Sequence, residues 1–553
     1  MASGQHDPAA HAAAMRAQGH WVDRTVDGLL VEAVARYPAK PALVAYRADR
    51  PAQEAPLRLS FAELGQRVAR VAGSLRALGV GRGDVVAVQL PNWWEFVVAS
   101  LACGRIGAIV NPLMPIFRER EMGFMLAFAE AKLLIVPRLF RGFDHAAMAD
   151  SLKAQVPTLK HIVVVDGPGA NSFERALLNG PGGELAPDPA FALKPEELAV
   201  LMFTSGTTGE PKGVMHNSNS LVACTNALAG RFHLTADDVL LCCSPMGHMT
   251  GYAAVMLQAV RLASTLVLQD VWESKRGVAI MAAEGVTHTA ASTPFLADIC
   301  DTVAAGGPKP DRLRTFLCGG APIPPVLIER AAKELGLLVS SLRGMTESLG
   351  STLTEPERAA EKSSQTDGRA LEGVAVRVID FDGKPLPAGE TGRLMVRGAQ
   401  MCMGYYKRPD IVAFDAEGWF DTGDLAYMDG EGYIRINGRT KDVLIRGGEN
   451  VPVFEIESLL YKHPAVAAAA IVGYADARLG ERACAFVVLR PGASLSLADV
   501  QTYMAECKVA KQYWPEQVEA IADLPRTASG KIQKFVLKER AKRYAAGAQG
   551  AWA

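Results

Sequence analysis

A loop rich in glycine and hydroxyl residues lies in the string LMFTSGTTGEPKGV, residues 201–214. Apolar residues lead into the loop as a strand would, and Lys212 follows it. Glycines let several backbone N–H groups turn toward one point, and hydroxyls add donors there, so the loop suits a polyphosphate. It lacks the glycine–lysine–Ser/Thr ending of a Walker A loop, which disfavours an ordinary ATPase. The candidate phosphate contacts are Thr204, Ser205, Gly206, Thr207, Thr208 and Lys212.

The string TSGTTGEPKG resembles the phosphate loop of the adenylate-forming superfamily, which includes acyl-CoA synthetases, firefly luciferase and peptide-synthetase adenylation domains. Further strings resemble that family's other motifs in the family's order, so the resemblance spans nearly the whole chain. It implies an acid–CoA ligase, which activates a carboxylic acid as an acyl-adenylate, releases pyrophosphate and passes the acyl group to coenzyme A. It also implies ATP (converted to AMP), Mg²⁺ and coenzyme A as cofactors, and a small carboxylic acid as the other partner.

Two strings resemble the stretches with which this family holds the nucleotide. GGAPIP (319–324) matches the adenine-binding stretch, and RGMTES (343–348) matches the motif that follows it. By these matches Thr346 would contact the α-phosphate region and Glu347 would hold Mg²⁺, a hard cation that prefers oxygen ligands. Thr204 of the phosphate loop is assigned to the same metal. Arg343 departs from the family's aromatic residue; its guanidinium would stack or contact the nucleotide or an anionic part of the substrate. The other positions assigned here are Gly319, Gly320, Ala321, Gly344 and Met345.

Two later strings resemble the family's ribose and hinge motifs. GWFDTGD (418–424) places Asp424 where its carboxylate would accept hydrogen bonds from the ribose hydroxyls. GRTKD (438–442) supplies Arg439 as the second ribose contact and Lys441 as the hinge residue. The resemblance implies that a C-terminal domain swings about Lys441 between the two half-reactions.

The last two motifs concern the thiol and the first chemical step. IRGGENVPVFEIE (445–457) resembles the turn that lines the pantetheine channel of CoA ligases, where Gly447 and Gly448 would let the backbone approach the thiol arm. PRTASGKIQK (525–534) resembles the C-terminal signature, which makes Lys531 the catalytic lysine. Its charge would bind the carboxylate and the α-phosphate together as they react.

The string SPMGHMTGY (244–252) resembles the family's acyl-pocket motif, with His248 at the gate. No charged residue is evident to pair with the far end of the substrate, which favours an apolar acid: medium-chain, alicyclic or simple aromatic. LPNWWEF and NPLMPIFRERE resemble the cyclohexanecarboxylate and medium-chain acyl-CoA ligase branch. The predicted pocket residues are His248, Met249, Tyr252, Phe295 and Cys318.

Two other functions stay open on the sequence alone. One is an enzyme that loads the acyl group onto a carrier-protein phosphopantetheine instead of coenzyme A. The other is a nucleotide-binding regulator with an inactive site, although all the polar residues that the motifs require are present.

Alternating strand and helix patterns must position these residues. Strands are expected at PALVAY, DVVAVQLP, ELAVLMF and TLVLQ, and the segment SFAELGQRVARVAGSLRALGV reads as a helix with Ser60 as its N-cap and Glu63 three residues on. Strands separated by helices predict a parallel α/β architecture. A β-rich lobe is expected at about 370–437, with a hairpin turning at Asp429–Gly432. We therefore predict an N-terminal domain over 1–437 and a small, mobile α+β domain over 438–553.

The bulk composition is that of an ordinary globular protein, with 49% hydrophobic and 21% charged residues. The formal net charge of -1 argues against nucleic acid as a partner.

The first twenty residues, a loose lead-in by their pattern, lack a signal peptide's apolar region, and the apolar stretch Pro464–Ala475 is too short to cross a bilayer. Nine scattered cysteines without a CxxC pair predict buried free thiols. A cytoplasmic enzyme without stable membrane insertion is expected, and a homodimer is left open.

Overall fold

The computed structural model describes residues 7–51, 54–204, 211–320, 323–411, 413–440, 444–446, 449–451, 453–476, 478–526 and 532–545. The chain divides into two compact units, one of residues 1–376 and 396–420, the other of residues 377–395 and 421–553. The domain boundary expected after residue 437 stays a prediction.

Sixteen α-helices are present in the described ranges. They are α1 Pro8–Ala17, α2 Val26–Arg36, α3 Phe61–Ala77, α4 Trp94–Ile106, α5 Glu119–Ala129, α6 His145–Lys153, α7 Ser218–Phe232, α8 Met249–Gly251, α9 Gln258–Leu262, α10 Ser274–Glu284, α11 Thr293–Ala304, α12 Pro325–Arg330, α13 Ala359–Lys362, α14 Val453–Lys462, α15 Leu497–Glu506 and α16 Lys534–Ala541.

Twenty-six strands accompany these helices within the same ranges. They are β1 Pro41–Tyr46, β2 Leu57–Ser60, β3 Val85–Val88, β4 Ile109–Pro112, β5 Leu133–Pro137, β6 Leu139–Phe140, β7 Phe143–Asp144, β8 His161–Val165, β9 Leu198–Thr204, β10 Lys212–Asn217, β11 Val239–Cys242, β12 Thr265–Gln269, β13 His288–Ala291, β14 Thr315–Gly319, β15 Leu338–Met345, β16 Leu349–Leu353, β17 Arg369–Ala370, β18 Val374–Ile379, β19 Gly392–Gly398, β20 Phe420–Met428, β21 Ile434–Arg439, β22 Leu444–Arg446, β23 Glu449–Val451, β24 Val466–Asp476, β25 Gly480–Leu489 and β26 Gln517–Ala520.

Two largely parallel sheets build the first unit, which confirms the predicted α/β class. One has nine strands in the order β17-β16-β15-β14-β13-β11-β12-β1-β2, and the other has six in the order β10-β9-β4-β3-β5-β8. In the smaller sheet β9, β4, β3, β5 and β8 run parallel, and β10 adds an antiparallel edge beside β9. The edge pair β9–β10 is the one that flanks the glycine-rich loop.

Helices cover both faces of each large sheet. In β3, Val86 and Val88 face a cluster shared with α3, α4 and the larger sheet, whereas Val85 and Ala87 face α5 and α6. Every side chain of this strand is therefore buried, as is usual for a strand of a parallel sheet covered on both sides. Helix α4 is buried almost all round because it contributes to the core between the sheets.

The second unit contains a five-stranded sheet in the order β23-β22-β25-β24, with β26 paired to β25. Ala469 and Ile471 of β24 pack in a cluster with α14, while Ala470 and Val472 pack in a cluster with α16. The Val/Ala composition of Pro464–Ala475 predicts a buried strand, and β24 confirms it. A four-stranded sheet, β18-β19-β20-β21, carries the hairpin of β20 and β21.

Local signals in the sequence account for several of these elements. Ser60 caps α3, and the Glu63 side chain accepts a hydrogen bond from the Ser60 backbone, so the predicted capping box is confirmed. The hairpin turn is confirmed too, because Asp429 N–H donates to the Tyr433 carbonyl at 2.8 Å.

The lead-in prediction was wrong for residues 8–17, which form helix α1. Asp7 caps this helix, Pro8 sits in its first turn, and the following residues are mostly alanine, which has the highest helix propensity. Met15 and Trp21 anchor it by burial, and the Trp21 indole donates to the Ala399 carbonyl at 2.8 Å.

None of the helices in the described ranges is both long and apolar enough to cross a bilayer. All nine cysteines are free thiols and eight are buried, as predicted. Among the residues with described positions, no group of three or more His, Cys, Asp and Glu side chains is arranged to hold a metal ion.

Candidate functional site

The glycine-rich loop is anchored at both ends by one pair of strands. Thr204 ends β9 and Lys212 begins β10, and the two residues face each other in the antiparallel ladder. The predicted contacts Ser205, Gly206, Thr207 and Thr208 lie outside the described residues. The ladder therefore fixes where the loop leaves and rejoins the sheet. Lys212, which carries the ammonium group, is the residue at which β10 begins after the loop.

A tight turn after β15 carries the next two predicted residues. Ser348 N–H donates to the Met345 carbonyl at 3.2 Å, which places Thr346 and Glu347 at the two central positions of the turn. The chain then reverses into β16 through Leu349, whose φ of 51° is unusual for a residue with a side chain. The backbone thus holds a conformation here that needs support from its surroundings.

Glu347 is only 6% exposed and is held at two points. Its Oε1 accepts a hydrogen bond from the Tyr405 hydroxyl at 2.9 Å, and its backbone carbonyl accepts one from Cys402 N–H at 2.8 Å. Burial, and secondly the adjacent Glu347 carboxylate, raise the pKa of the Tyr405 phenol, so Tyr405 remains a hydrogen-bond donor at neutral pH.

Lys212 completes a small cluster with these two side chains. Its ammonium lies 4.8 Å from the centroid of the Tyr405 ring, within the range of a cation–π contact. The structure therefore brings a cation, a phenol and a carboxylate together at the edge of the smaller sheet. We call this set the Lys212–Tyr405–Glu347 cluster.

His216 supports Thr346, the residue of the turn that precedes Glu347. It is fully buried on β10, and its Nε2 donates to the Thr346 carbonyl at 2.7 Å while its Nδ1 contacts the Ser220 hydroxyl at 3.0 Å. Burial lowers the pKa of His216 to about 4, so the imidazole is neutral at neutral pH. A backbone carbonyl only accepts hydrogen bonds, so the proton of the neutral ring sits on Nε2.

The predicted adenine stretch lies at the end of β14. Gly319 closes the strand, and Gly320 has a φ of 90°, a conformation that glycine adopts readily. Gly344 on the adjacent strand must also lack a side chain, because a Cβ there would lie 2.2 Å from the Leu349 carbonyl oxygen. Ala321 is outside the described residues.

Arg343 is 7% exposed, and its guanidinium contacts side chains of its own hairpin. One nitrogen donates to the Ser351 hydroxyl at 3.1 Å and another lies 3.3 Å from the Met345 sulfur. A guanidinium can hold these contacts and still offer a donor, since it has five N–H groups. Its predicted roles toward the base, the nucleotide or the substrate stay predictions.

The residues predicted for the acyl pocket are divided between two parts of the core. His248 caps α8, with Nδ1 accepting from Thr250 N–H at 3.2 Å, and Met249 follows it in a buried position. Tyr252 packs instead toward α4, with its ring centroid 6.3 Å from that of Phe96.

Phe295 and Cys318 lie in the other cluster, on the far face of the nine-stranded sheet. The Phe295 ring centroid lies 4.9 Å from that of Trp272, and the Cys318 sulfur lies 3.6 Å from the Thr293 hydroxyl. Burial raises the pKa of Cys318 to about 12, which keeps this thiol protonated and unreactive.

In the second unit, Asp424 and Arg439 face each other across β20 and β21. The Arg439 Nε lies 3.1 Å from Asp424 Oδ1, and Asp424 is buried. Lys441, Gly447, Gly448 and Lys531 lie outside the described residues, so their roles stay predictions.

The string TKDVLIRGGENVPVFEIESLLYKHP (440–464) predicts a strand, a glycine turn and a helix, and this prediction omits one strand. Glu449–Val451 forms β23, which pairs with β22 in antiparallel register, with Arg446 opposite Glu449. Two residues separate the strands, the usual spacing of a tight hairpin. The pattern was missed because each strand has only three residues, too few to show a period of two.

Comparison with known proteins shows the class of the chain. The family described as AMP-binding enzyme matches residues 30–406, and the AMP-binding enzyme C-terminal domain matches residues 455–531. The medium-chain fatty-acid–CoA ligase of Escherichia coli K12 is 36% identical over 95% of this chain and 92% of its own length. The salicyl-AMP ligase / salicyl-S-ArCP synthetase of Mycobacterium tuberculosis is also 36% identical, with the same coverage.

A solved structure gives the same answer for the fold. The ATP-bound crystal structure of MatB from Rhodopseudomonas palustris superposes with a TM-score of 0.82 and 28% identity, covering 94% of this chain and all of that one. The chain belongs to the AMP-binding enzyme family. More narrowly, it is an acid–thiol ligase, related to acyl-CoA and aryl-CoA ligases within this adenylate-forming superfamily.

Proposed function

We propose that this enzyme is an ATP-dependent acid–CoA ligase. In the first half-reaction a carboxylate oxygen of the acid bonds to the α-phosphorus of ATP, and the bond to the β-phosphate oxygen breaks with pyrophosphate as the leaving group. In the second, the sulfur of coenzyme A bonds to the acyl carbon, AMP leaves and the thiol proton is released. The observation that carries this proposal is the Lys212–Tyr405–Glu347 cluster beside the glycine-rich loop.

The residues of the first unit fit a Mg²⁺-bound nucleotide. The buried Glu347 carboxylate is a hard oxygen donor, and Mg²⁺ is commonly bound by one or two carboxylates together with substrate phosphates. The hydroxyls of Thr346 and Thr204 are further oxygen groups of the predicted set. When bound, Mg²⁺ would offset the charge of the phosphate oxygens. Lys212 would contact the phosphates as a point charge.

The second unit supplies the remaining predicted roles. Asp424 and Arg439 would bind the ribose, and Lys531 would bind the carboxylate and the α-phosphate during adenylation. Rotation about Lys441 would then exchange Lys531 for the turn at Gly447 and Gly448, which would admit the thiol arm. The match to the family's C-terminal domain over residues 455–531 supports this division of labour.

We further propose that the acid is apolar: medium-chain, alicyclic or aryl. Support comes from the buried Met249 and Cys318 and the partly buried Phe295. The relatives act, by their names, on medium-chain fatty acids and on salicylate, at the same identity to this chain. One methylene in an apolar pocket is worth about 1–3 kcal/mol, so we expect several acids to be accepted.

The test is pyrophosphate release over a panel of acids, with and without coenzyme A. We expect octanoate, cyclohexanecarboxylate or benzoate to support release, with acyl-CoA and AMP formed when coenzyme A is added. A phosphopantetheinylated carrier protein should replace coenzyme A poorly. Strong preference for the carrier would favour the alternative raised by the salicyl-S-ArCP synthetase relative. Absence of pyrophosphate release with every acid would contradict the ligase assignment.

A further inference from the structure

Tyr405 touches both charged side chains of the cluster without carrying a charge. Its hydroxyl donates to Glu347 Oε1 at 2.9 Å, and the face of its ring lies 4.8 Å from the Lys212 ammonium. The two contacts use different parts of the residue, the phenol oxygen and the π system. Removing the hydroxyl alone would therefore cut one contact and keep the other.

The backbone fixes where this ring lies. Met403 N–H donates to the Met215 carbonyl at 2.8 Å, Met215 N–H donates to the Gly404 carbonyl at 3.1 Å, and Tyr406 N–H donates to the Gly213 carbonyl at 2.8 Å. Residues 403–406 thus lie alongside β10 in an irregular antiparallel pairing, with Tyr405 opposite Val214. Because β10 begins at Lys212, the same pairing sets the distance between the ring and the ammonium.

The same segment also reaches the turn that bears Glu347. Cys402 N–H donates to the Glu347 carbonyl at 2.8 Å, three residues before the Tyr405 hydroxyl meets the carboxylate. Segment 402–406 therefore links the start of β10 to the turn after β15. In this contact the phenol hydroxyl is the donor and the Glu347 carboxylate is the acceptor.

A carboxylate held by a neutral donor is oriented without being neutralised. The hydroxyl occupies one lone pair of Oε1 and leaves acceptor capacity on both oxygens, since a carboxylate has about four lone-pair sites. An ammonium held over an aromatic face likewise keeps its N–H donors for phosphate oxygens.

We propose that Tyr405 is a positioning residue that holds the Glu347 carboxylate for Mg²⁺ and the Lys212 ammonium for the phosphates of the same nucleotide. This role rests on the proposed function, because it requires that the cluster bind Mg·ATP. It assigns to Tyr405 two separable effects, one on metal-dependent binding through the hydroxyl and one on metal-independent binding through the ring.

The test is equilibrium binding of ATP by calorimetry, without any acid, at a series of Mg²⁺ concentrations and in EDTA. Tyr405→Phe should raise the Mg²⁺ concentration for half-maximal binding about tenfold, which corresponds to the loss of a hydrogen bond to a charged group. Its binding of ATP in EDTA should stay within about twofold of the parent, because the ring remains. Tyr405→Leu should weaken binding in EDTA as well, by about threefold or more.

Tyr406→Phe is the matched control. The adjacent ring packs against Phe128, with centroids 6.2 Å apart, and its variant should follow the parent at every Mg²⁺ concentration. Circular dichroism and thermal unfolding would confirm that each variant is folded. An unchanged Mg²⁺ dependence in Tyr405→Phe would overturn the proposal while leaving the ligase assignment intact. Failure of the parent itself to bind Mg·ATP would overturn both.

Discussion

Two carboxylates predicted to contact the nucleotide are almost equally buried, Glu347 at 6% and Asp424 at 5% exposure, yet their partners differ in charge. Glu347, in the first unit, accepts a hydrogen bond from the neutral hydroxyl of Tyr405. Asp424, in the second unit, faces the guanidinium of Arg439 across a strand pair. A cation such as Mg²⁺ is best bound by a carboxylate whose negative charge is not already offset by a neighbouring cation, whereas a sugar hydroxyl needs only an oriented acceptor. The contrast therefore matches the two predicted roles.

The largest effect should come from the second unit's predicted catalytic lysine. Lys531→Ala should lower acyl-adenylate formation by about 10³-fold, as expected for loss of a charge that stabilises a transition state. Thioester formation from supplied acyl-adenylate should be largely spared. The two rates are measured separately, by pyrophosphate release and by acyl-CoA formation.

Lys441→Pro is the counterpart of this variant, because it restricts the predicted hinge and leaves Lys531 in place. It should spare adenylation and slow thioester formation. Equal loss of both half-reactions in Lys531→Ala, or normal overall turnover in Lys441→Pro, would contradict the division of labour between the units.

The second prediction addresses the two carboxylates directly. Glu347→Gln keeps the shape and a hydrogen-bond acceptor but removes the charge, so adenylation should fall by about 10²-fold or more. Asp424→Asn makes the same change in the second unit and should mainly raise KM for ATP, by about tenfold, because an amide oxygen still accepts from a hydroxyl. Pyrophosphate release at varied ATP and Mg²⁺ separates the two effects. Similar loss of kcat in both variants would show that the difference in their partners has no functional meaning.

How much of this site the sequence predicts depends on how far apart along the chain the contacting residues lie. The strand before Thr204, the capping box at Ser60 and the hairpin at residues 429–432 follow from local patterns, and all are present. The supporting contacts are different, because Tyr405 and Glu347 are 58 residues apart and His216 and Thr346 are 130 apart. A single tyrosine or histidine in a strand-like segment carries no signal for such a partner, since tertiary pairing decides it.

Weak local signals explain why the sequence did not predict helix α1 and strand β23. Helix α1 was missed because its capping signal lies in a short alanine-rich segment without a regular apolar face, and its burial depends on Trp21 meeting residue 399. Strand β23 was missed because three residues cannot show an alternating pattern. Motifs locate the residues expected to touch the substrate, whereas the packing that holds those residues becomes visible only in the folded chain.

The smallest effect concerns the hydrogen bond from His216 to the carbonyl of Thr346, the residue before Glu347, and it depends on pH. Burial lowers the pKa of His216 from 6.5 to about 4, so between these values the unfolded chain binds a proton that the folded chain does not. Stability should therefore be highest above about pH 6.5 and fall as the pH drops toward 4, by at most about 3 kcal/mol from this residue.

His216→Gln removes this titration while offering an amide donor toward the Thr346 carbonyl. Thermal unfolding of the parent and the variant, followed from pH 7.5 to 4.5, should converge as the pH falls, because only the parent loses the contribution of the histidine. Other acid-sensitive groups act on both proteins and cancel in the difference. Asp424→Asn in the second unit serves as the comparison, because it keeps His216 and so this histidine contributes nothing to its difference from the parent. Parallel curves for parent and His216→Gln would show that the imidazole is not held neutral against the turn.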